Sequence, residues 1–264
     1  MIYILIPVFN EEANIAPLAA NIDAALKKMG EAYRLVFVND GSTDGTAEVI
    51  RNYMEKYPLE MLENNPNQGV GISFDKGFKY FIAKGEANDI LVTMEGDNTS
   101  DLNTLPKLIE AIRNGNDFAL ASVYSREGEV IGSTPLRLFF SFTANLLCRL
   151  IFKMRTVRTF SSFYRAYRHQ TLEKLYADPA EPVITERGYT CMVEMLIKLH
   201  HAGFQFSEVP TTLDANKRMG LSKMKKRQTI KAYLRLFCKH LFPRISLATL
   251  NKPADPSVKK PNTL

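Results

Sequence analysis

The sequence predicts an α/β fold, a mainly parallel sheet with helices on both faces. Three observations predict it. Through the first half of the 264 residues, short apolar runs alternate with longer stretches of helical periodicity, the order that builds strand–helix–strand units. Two of the apolar runs close on acidic clusters, and carboxylates at the carboxyl ends of buried strands are where open α/β sheets bind ligands. The hydrophobic fraction of 45% is enough for a substantial core.

Ile2–Phe9 reads as the first buried strand. It has no basic leader and Glu11-Glu12 follow at once, so it is not read as a signal peptide. A helix is predicted near Ala13–Lys28, then a strand over Tyr33–Asn39. Thr43-Asp44-Gly45-Thr46 offers capping side chains to a helix over Thr46–Lys56. Leu59–Glu63 is the next strand. Gly69, Gly71 and Gly77 have the wrong spacing for a dinucleotide fingerprint and instead shape the start of a helix near Ile72–Ala83. Strands over Asp89–Met94 and Phe118–Val123 flank a helix over Leu105–Asn114.

The second half is less regular. Leu136–Met154 is a long apolar helix with spaced basic residues, and Phe163–Tyr167 is a short strand. Tyr189–His201 reads as an amphipathic helix, Phe204–Val209 as a strand ending at Pro210, and Thr229–Phe242 as a basic amphipathic helix. No internal repeat or linker divides the chain. The expected organisation is a domain over 1–223, a basic helical extension over 224–250, and a disordered tail over 251–264, with three prolines and three lysines.

A net charge of +6 and a pI of about 9.1 favour an anionic partner. Cys148, Cys191 and Cys238 lie far apart, with no CxxC or Cys/His spacing, so they are expected to be buried reduced thiols rather than disulfide or zinc ligands. No uncharged run reaches the roughly 18–20 residues of a spanning helix. The longest candidate, Leu136 to Phe152, contains Arg137 and Arg149.

Two motifs carry chemistry. In Met94-Glu95-Gly96-Asp97, the spacing of two puts both carboxylates on one side of a strand end. Mg²⁺ or Mn²⁺ prefers oxygen ligands and often takes one or two carboxylates plus phosphate oxygens. Gly96 lets the backbone come close to a ligand. The same residues also fit a polar turn after a buried strand. In Val38-Asn39-Asp40-Gly41-Ser42-Thr43-Asp44-Gly45, Asp40 can accept hydrogen bonds from a base or ribose, or serve as a turn aspartate. A nucleotide base and a divalent metal account for both clusters. Further on, Arg218 and Lys223 flank the glycine turn at Gly220, where a planar fork and a compact charge can converge on one anion; a solvated basic loop is the alternative. There is no GxxxxGK[ST] phosphate loop and no GxSxG elbow. His169, His200, His201 and His240 fall in helix or turn contexts and read as structural or exposed.

Ile6-Pro7-Val8-Phe9-Asn10-Glu11-Glu12, the Asp40 motif, Met94-Glu95-Gly96-Asp97 and Arg218-Met219-Gly220-Leu221-Ser222-Lys223 resemble, in this order, the signatures of family 2 glycosyltransferases. The branch they look most like is the dolichol-phosphate mannosyltransferase-like, or polyprenyl-phosphate glycosyltransferase, group. The resemblance runs from about Ile4 to Lys223. It implies a GT-A (Rossmann-like) fold and a UDP- or GDP-linked sugar donor. It puts Pro7, Phe9, Glu11 and Asp40 in the nucleoside pocket, Glu95 and Asp97 on Mg²⁺ or Mn²⁺, and Arg218 and Lys223 at the donor diphosphate. It implies that Arg137 and Ser141 meet the phosphate of a polyprenyl phosphate acceptor. Glu194 matches a family glutamate whose role stays open.

This chain departs from the pattern at several points. Glu95 replaces the usual first aspartate and reaches one methylene further. Thr99 stands where some members carry a glutamine metal ligand, and Thr159 replaces an aspartate. Ala121-Ser122-Val123-Tyr124 lacks an acceptor-side arginine, for which Arg126 is the substitute. The expected activity is metal-dependent, inverting sugar transfer with Asp97, Arg218 and Lys223 as catalytic residues. An ionised phosphate acceptor needs no strong base. The alternatives are transfer to a saccharide hydroxyl, which needs a general base such as Asp101 or Glu194, and a non-catalytic nucleotide-sugar-binding subunit.

The expected placement is cytoplasmic, peripheral at the inner face of an anionic membrane, with no nucleic acid partner. Ser222–Arg227 is densely basic. In the helix that follows, Ile230, Tyr233, Leu234, Phe237, Leu241 and Phe242 recur at roughly helical spacing, while Lys231, Arg235 and Lys239 form a basic stripe expected to face lipid headgroups.

Overall fold

A computed structural model describes residues 1–220, 223 and 226–241. The large sheet is built from β1 (Ile2–Val8), β2 (Tyr33–Asp40), β3 (Leu59–Asn64), β4 (Ile90–Thr93), β5 (Phe118–Ser122), β7 (Arg165–Arg168) and β8 (Phe206–Pro210). Its spatial order is β3-β2-β1-β4-β7-β5-β8. β7 runs antiparallel to β4 and β5, and the other neighbours pair in parallel. A second, two-stranded sheet pairs β6 (Glu129–Ile131) with β9 (Thr212–Asp214); neither strand shows a period in the sequence.

Side chains alternate between the sheet's faces, as the two-residue period of a strand requires. In β1, Tyr3 and Leu5 join one core while Ile2, Ile4, Ile6 and Val8 join the other. The second core is closed by α1 (Glu12–Lys28), α2 (Thr46–Tyr53) and α4 (Leu105–Arg113) through Ile15, Leu18, Ile22, Ile50, Leu108 and Ile112. The first is closed by α3 (Val70–Lys84), α6 (His169–Leu175) and α7 (Cys191–His201) through Phe74, Phe78, Phe81, Leu172, Met192 and Leu196. The helix α6 is missing from the sequence prediction because seven residues do not span two turns of periodicity.

Several predicted features shift. At the start of α2, Gly45 is the cap residue and makes no side-chain bond; Asp44 instead receives the Thr46 N–H at 3.0 Å. The strand predicted from Phe163 starts at Arg165. Arg165 is fully buried, and its guanidinium donates to the carbonyls of Ser162, Met192 and Phe160 at 2.8, 2.9 and 2.6 Å. Those bonds tie the irregular segment before the strand to the Arg165 side chain rather than to a neighbouring strand. Cys148 and Cys191 are buried, and burial pushes both thiols up, that of Cys148 to about 12. Cys238, expected to be buried with them, is exposed. The predicted tail over 251–264 lies outside the described residues.

The long apolar helix is α5 (Pro135–Ile151), capped by the Thr134 hydroxyl, which accepts from Arg137 N–H at 3.3 Å. Cys148 and Asn145 face the protein, while Leu136, Phe139, Phe140, Phe142, Leu147 and Leu150 stand exposed. α8 (Lys226–Leu241) lies against α5. It buries Ala232, Leu236 and Phe237 and exposes Ile230, Leu234 and Leu241. No helix among the described residues is long and apolar enough to cross a membrane.

Candidate active site

The parallel order β2-β1-β4 brings three strand ends side by side, and a cavity of about 1060 Å³ opens over them. Pro7, Phe9 and Glu11 enter from the end of β1, Asp40 from β2, and Glu95 and Asp97 from the turn after β4. Lys223 lines the same cavity, and Arg218 reaches it through Asp97. The residues predicted for the nucleoside, the metal and the diphosphate are therefore assembled in one place.

The loops that carry them are cross-tied. The Asn10 carboxamide oxygen accepts from Thr43 N–H at 2.8 Å, Asn10 N–H donates to the Ser42 hydroxyl at 2.9 Å, and Glu11 N–H to the Thr46 hydroxyl at 2.8 Å. Asn14, buried in the first turn of α1, donates to Glu11 Oε2 at 2.6 Å and to the Met219 carbonyl at 2.9 Å. It also accepts from Asn98 at 3.1 Å. One carboxamide thus joins three loops of the site, and no motif in the sequence marks it. Asp40 is buried, with Oδ1 taking Asn64 Nδ2 and Gln68 N–H at 2.9 and 3.0 Å and Oδ2 taking Gly69 N–H at 2.9 Å. Its first duty is to shape the 64–69 loop over the cavity.

Every carboxylate lining the cavity has a partner. Asp97 Oδ2 receives Arg218 Nε at 2.7 Å and Nη2 at 2.5 Å, and Oδ1 receives the Thr99 hydroxyl at 2.6 Å. Glu11 pairs with Lys223 at 2.6 Å. Burial raises the Glu11 carboxyl pKa, against the pull of Lys223. Glu95 accepts from the Ser100 hydroxyl at 2.6 Å and Phe163 N–H at 3.2 Å. Burial also pushes the Glu95 carboxyl up, and the charge of Asp97 adds to the shift. Gly96 lines the cavity between Glu95 and Asp97, and it also lies close to the first strand, where a Cβ would meet Val8 Cγ1 at 2.8 Å.

Asp97 already holds a cation, the Arg218 guanidinium, so the carboxylate suits a positive charge from this side. Among the described residues no cluster of three or more acidic, His or Cys side chains could share one ion. A divalent metal on Asp97 would complete its shell from phosphate oxygens and water, the usual habit of Mg²⁺.

The acceptor-side residues fall elsewhere. Arg126 lies beyond the end of β5 and lines a separate cavity with Arg158, His200 and Glu208 at the β8 edge of the sheet. Arg137 and Ser141 sit one turn apart on α5, and neither lines the Asp97 cavity. Thr159 contacts the Ser122 hydroxyl at 2.8 Å where the resembled family has an aspartate. The two candidate bases are occupied with structural bonds. Asp101 accepts from Asn103 N–H at 3.0 Å. Glu194 is buried and accepts from Thr185 N–H, the Thr185 hydroxyl and Glu186 N–H at 2.8, 2.6 and 2.8 Å. Glu194 thereby fixes residues 185–188 as a roof on the start of α3. The glycines there permit the contact: Gly69 has φ +97°, and a Cβ on Gly71 would stand 1.9 Å from the Glu186 carbonyl oxygen.

The basic stripe of α8 also faces away from its expected side. Lys231, Arg235 and Lys239 line the cavity, because Ala232, Leu236 and Phe237 dock on the core and turn that stripe inward.

This arrangement is a GT-A fold with its site at the carboxyl ends of the sheet. The glycosyl transferase family 2 model matches residues 3–176; the chain belongs to that family. It is 32% identical over 233 residues to a dolichol-phosphate mannosyltransferase of Pyrococcus furiosus, covering 88% of this chain and 61% of that protein. The chain therefore spans less than two thirds of that relative's length. It is 27% identical to the polyprenol monophosphomannose synthase of Mycolicibacterium smegmatis, over 84% of this chain and 80% of the relative. Among solved structures, glucosyl-3-phosphoglycerate synthase from Mycobacterium tuberculosis, in complex with Mn²⁺, UDP and phosphoglyceric acid, superposes with a TM-score of 0.61. That match has 17% identity and covers 90% of this chain and 78% of the other.

Proposed function

We propose that the protein is a metal-dependent inverting glycosyltransferase that moves a sugar from a UDP- or GDP-linked donor to a polyprenyl phosphate. The observation that carries this reading is the pairing of Arg218 with Asp97 and of Lys223 with Glu11 inside the cavity over β1, β2 and β4. The pairs hold two cations ready for a diphosphate. The relatives named above supply the acceptor class. The occupied state of every cavity carboxylate also supports an acceptor that arrives already ionised.

In this reading one acceptor phosphate oxygen bonds to the anomeric carbon as the bond to the nucleoside diphosphate breaks, and the diphosphate leaves with the electron pair. Asp97 would hold Mg²⁺ or Mn²⁺, which supplies Lewis-acid neutralisation of the leaving charge. Arg218 and Lys223 turn toward the diphosphate, Asp40 keeps the 64–69 loop over the nucleoside, and Glu95 holds the 95–100 turn against Phe163. A panel of nucleotide sugars with Mn²⁺, followed by nucleoside diphosphate release with and without a prenyl phosphate, tests the assignment. Release stimulated by the prenyl phosphate is expected. Transfer to saccharide hydroxyls instead, or no turnover of any donor, would overturn it.

Glu95 is expected to act on the metal through water, since both of its oxygens are engaged by protein. Glu95→Gln should lower Mn²⁺-stimulated turnover several-fold, less than any loss at Asp97, with the thermal midpoint unchanged. Activity equal to the parent would remove Glu95 from the site.

The exposed face of α5 and α8 is proposed to rest on an anionic membrane, where such an acceptor resides. α5 carries Arg137 and Arg149 and no acid, and α8, whose Lys231, Arg235 and Lys239 turn to the cavity, carries no acid either. Apolar side chains beside cations form the pattern of an interfacial helix. Burying a Phe side chain is worth about 1.5–3 kcal/mol, so Phe139→Asp with Phe140→Asp should reduce co-sedimentation with anionic vesicles by more than about tenfold. Binding should also weaken with salt. Parent protein that stays in the supernatant at low salt would refute the membrane contact.

A further inference from the structure

We propose that the α8 side of the cavity is a second anion site, built from Arg187, Lys231 and Lys239, that receives the phosphomonoester of the acceptor. This rests on the reading of the protein as a transferase to a phosphate acceptor. Lys231, Arg235 and Lys239 are four residues apart, so they project from one face of α8, and all three line the cavity that contains Asp97. The middle cation is committed. Arg235 forks onto Glu186, Nε to Oε1 at 2.9 Å and Nη2 to Oε2 at 2.6 Å. The Glu186 side chain is only 8% exposed, and its Oε2 also accepts from the Thr190 hydroxyl. That pair pins α8 to the roof loop.

The next residue along the roof, Arg187, lines the same cavity. Its main chain is held on both sides: Gly71 N–H donates to its carbonyl at 2.9 Å, and Glu194 fixes the two residues before it. Among the described residues, the side chains of Arg187, Lys231 and Lys239 have no acidic partner. Three unpaired cations facing one cavity favour an anion, and a guanidinium fork beside an ammonium group suits phosphate oxygens. The donor diphosphate has its own pair in Arg218 and Lys223. The acceptor phosphate needs a different one, since Val123 replaces the family arginine and Arg126, Arg137 and Ser141 lie outside this cavity.

Citronellyl phosphate, a short prenyl phosphate, is a suitable probe. In the double variant Arg187→Ala/Lys231→Ala, KM for citronellyl phosphate should rise about tenfold or more, the scale of a lost charge-assisted contact. KM for the nucleotide sugar should stay within twofold, and Arg187→Lys should recover part of the loss. An unchanged acceptor KM in a folded double variant overturns the site, as does an equal rise in donor KM. Direct titration separates this idea from the functional reading. If the parent transfers no sugar but still binds citronellyl phosphate more tightly than the double variant does, the transferase reading fails and the anion site stands. Equal binding by parent and variant overturns the site. Inorganic phosphate should compete weakly for the same residues. Binding to anionic vesicles free of prenyl phosphate should be unaffected by Arg187→Ala; a parallel loss there would assign Arg187 to headgroup contact and overturn the proposal.

Discussion

Asp97→Asn is expected to lower turnover about a hundredfold or more, the scale on which a fixed electrostatic contact to a developing charge acts, and to abolish its stimulation by Mn²⁺. The residue concentrates three functions at one strand end. Its Oδ1 secures the 97–99 turn through Thr99, its Oδ2 holds Arg218, and its carboxylate is the group proposed to hold a divalent ion. Asparagine keeps one acceptor for Thr99 but loses the charge, and its amide group would stand against the Arg218 guanidinium. The side chain is 15% exposed and belongs to neither core, so the thermal midpoint should move little. Mn²⁺ titrations of nucleotide-sugar binding read the effect directly. Unaltered donor affinity in saturating Mn²⁺ would remove Asp97 from the metal.

The side of the site over β1, β2 and β4 is legible in the sequence because each part is a short contiguous motif at the end of a strand. Reading the strand places the residue: β1 delivers Glu11, β2 delivers Asp40, and β4 delivers Glu95 and Asp97. Glycines at 69 and 71 correctly announce the start of α3, although the reason, the close approach of the Glu186 and Arg187 carbonyls, is visible only in three dimensions.

The α8 side of the cavity is not legible in the same way. Glu186 and Arg235 are 49 residues apart in sequence, and no local pattern announces their contact. The periodicity of α8 correctly separates a basic stripe from an apolar one. It does not say which stripe meets the protein, and packing of Leu236 and Phe237 beside α5 decides that against the expectation. Periodicity likewise shows α5 to be apolar without showing that most of its apolar surface stays uncovered. Glu194 reads as a candidate base because a buried and an accessible carboxylate look alike in one sequence. Three donors from Thr185 and Glu186 make it a support for the roof.

Arg218→Ala is expected to slow turnover by about tenfold to a hundredfold, since a charge-assisted contact contributes roughly 1.5–3 kcal/mol and each 1.4 kcal/mol or so is a factor of ten in rate. Both of its present bonds go to one oxygen, Asp97 Oδ2, from Nε and Nη2. The Nη1 group has no partner among the described residues and remains available to a phosphate oxygen. Arg218→Lys should recover only part of the rate, because an ammonium group keeps the charge but not the planar fork. The pair with Asp97 allows a sharper test, for contacting residues are the ones whose effects fail to add. If Arg218 served only to hold Asp97, the double variant Asp97→Asn/Arg218→Ala would be no worse than Asp97→Asn alone. If Arg218 also neutralises the leaving diphosphate, Arg218→Ala lowers the rate at every Mn²⁺ concentration while leaving the stimulation by Mn²⁺ in place. Asp97→Asn removes the stimulation itself. Kinetics unchanged in a folded Arg218→Ala protein would return the 218–223 loop to a solvated basic surface and leave the diphosphate without its expected arginine.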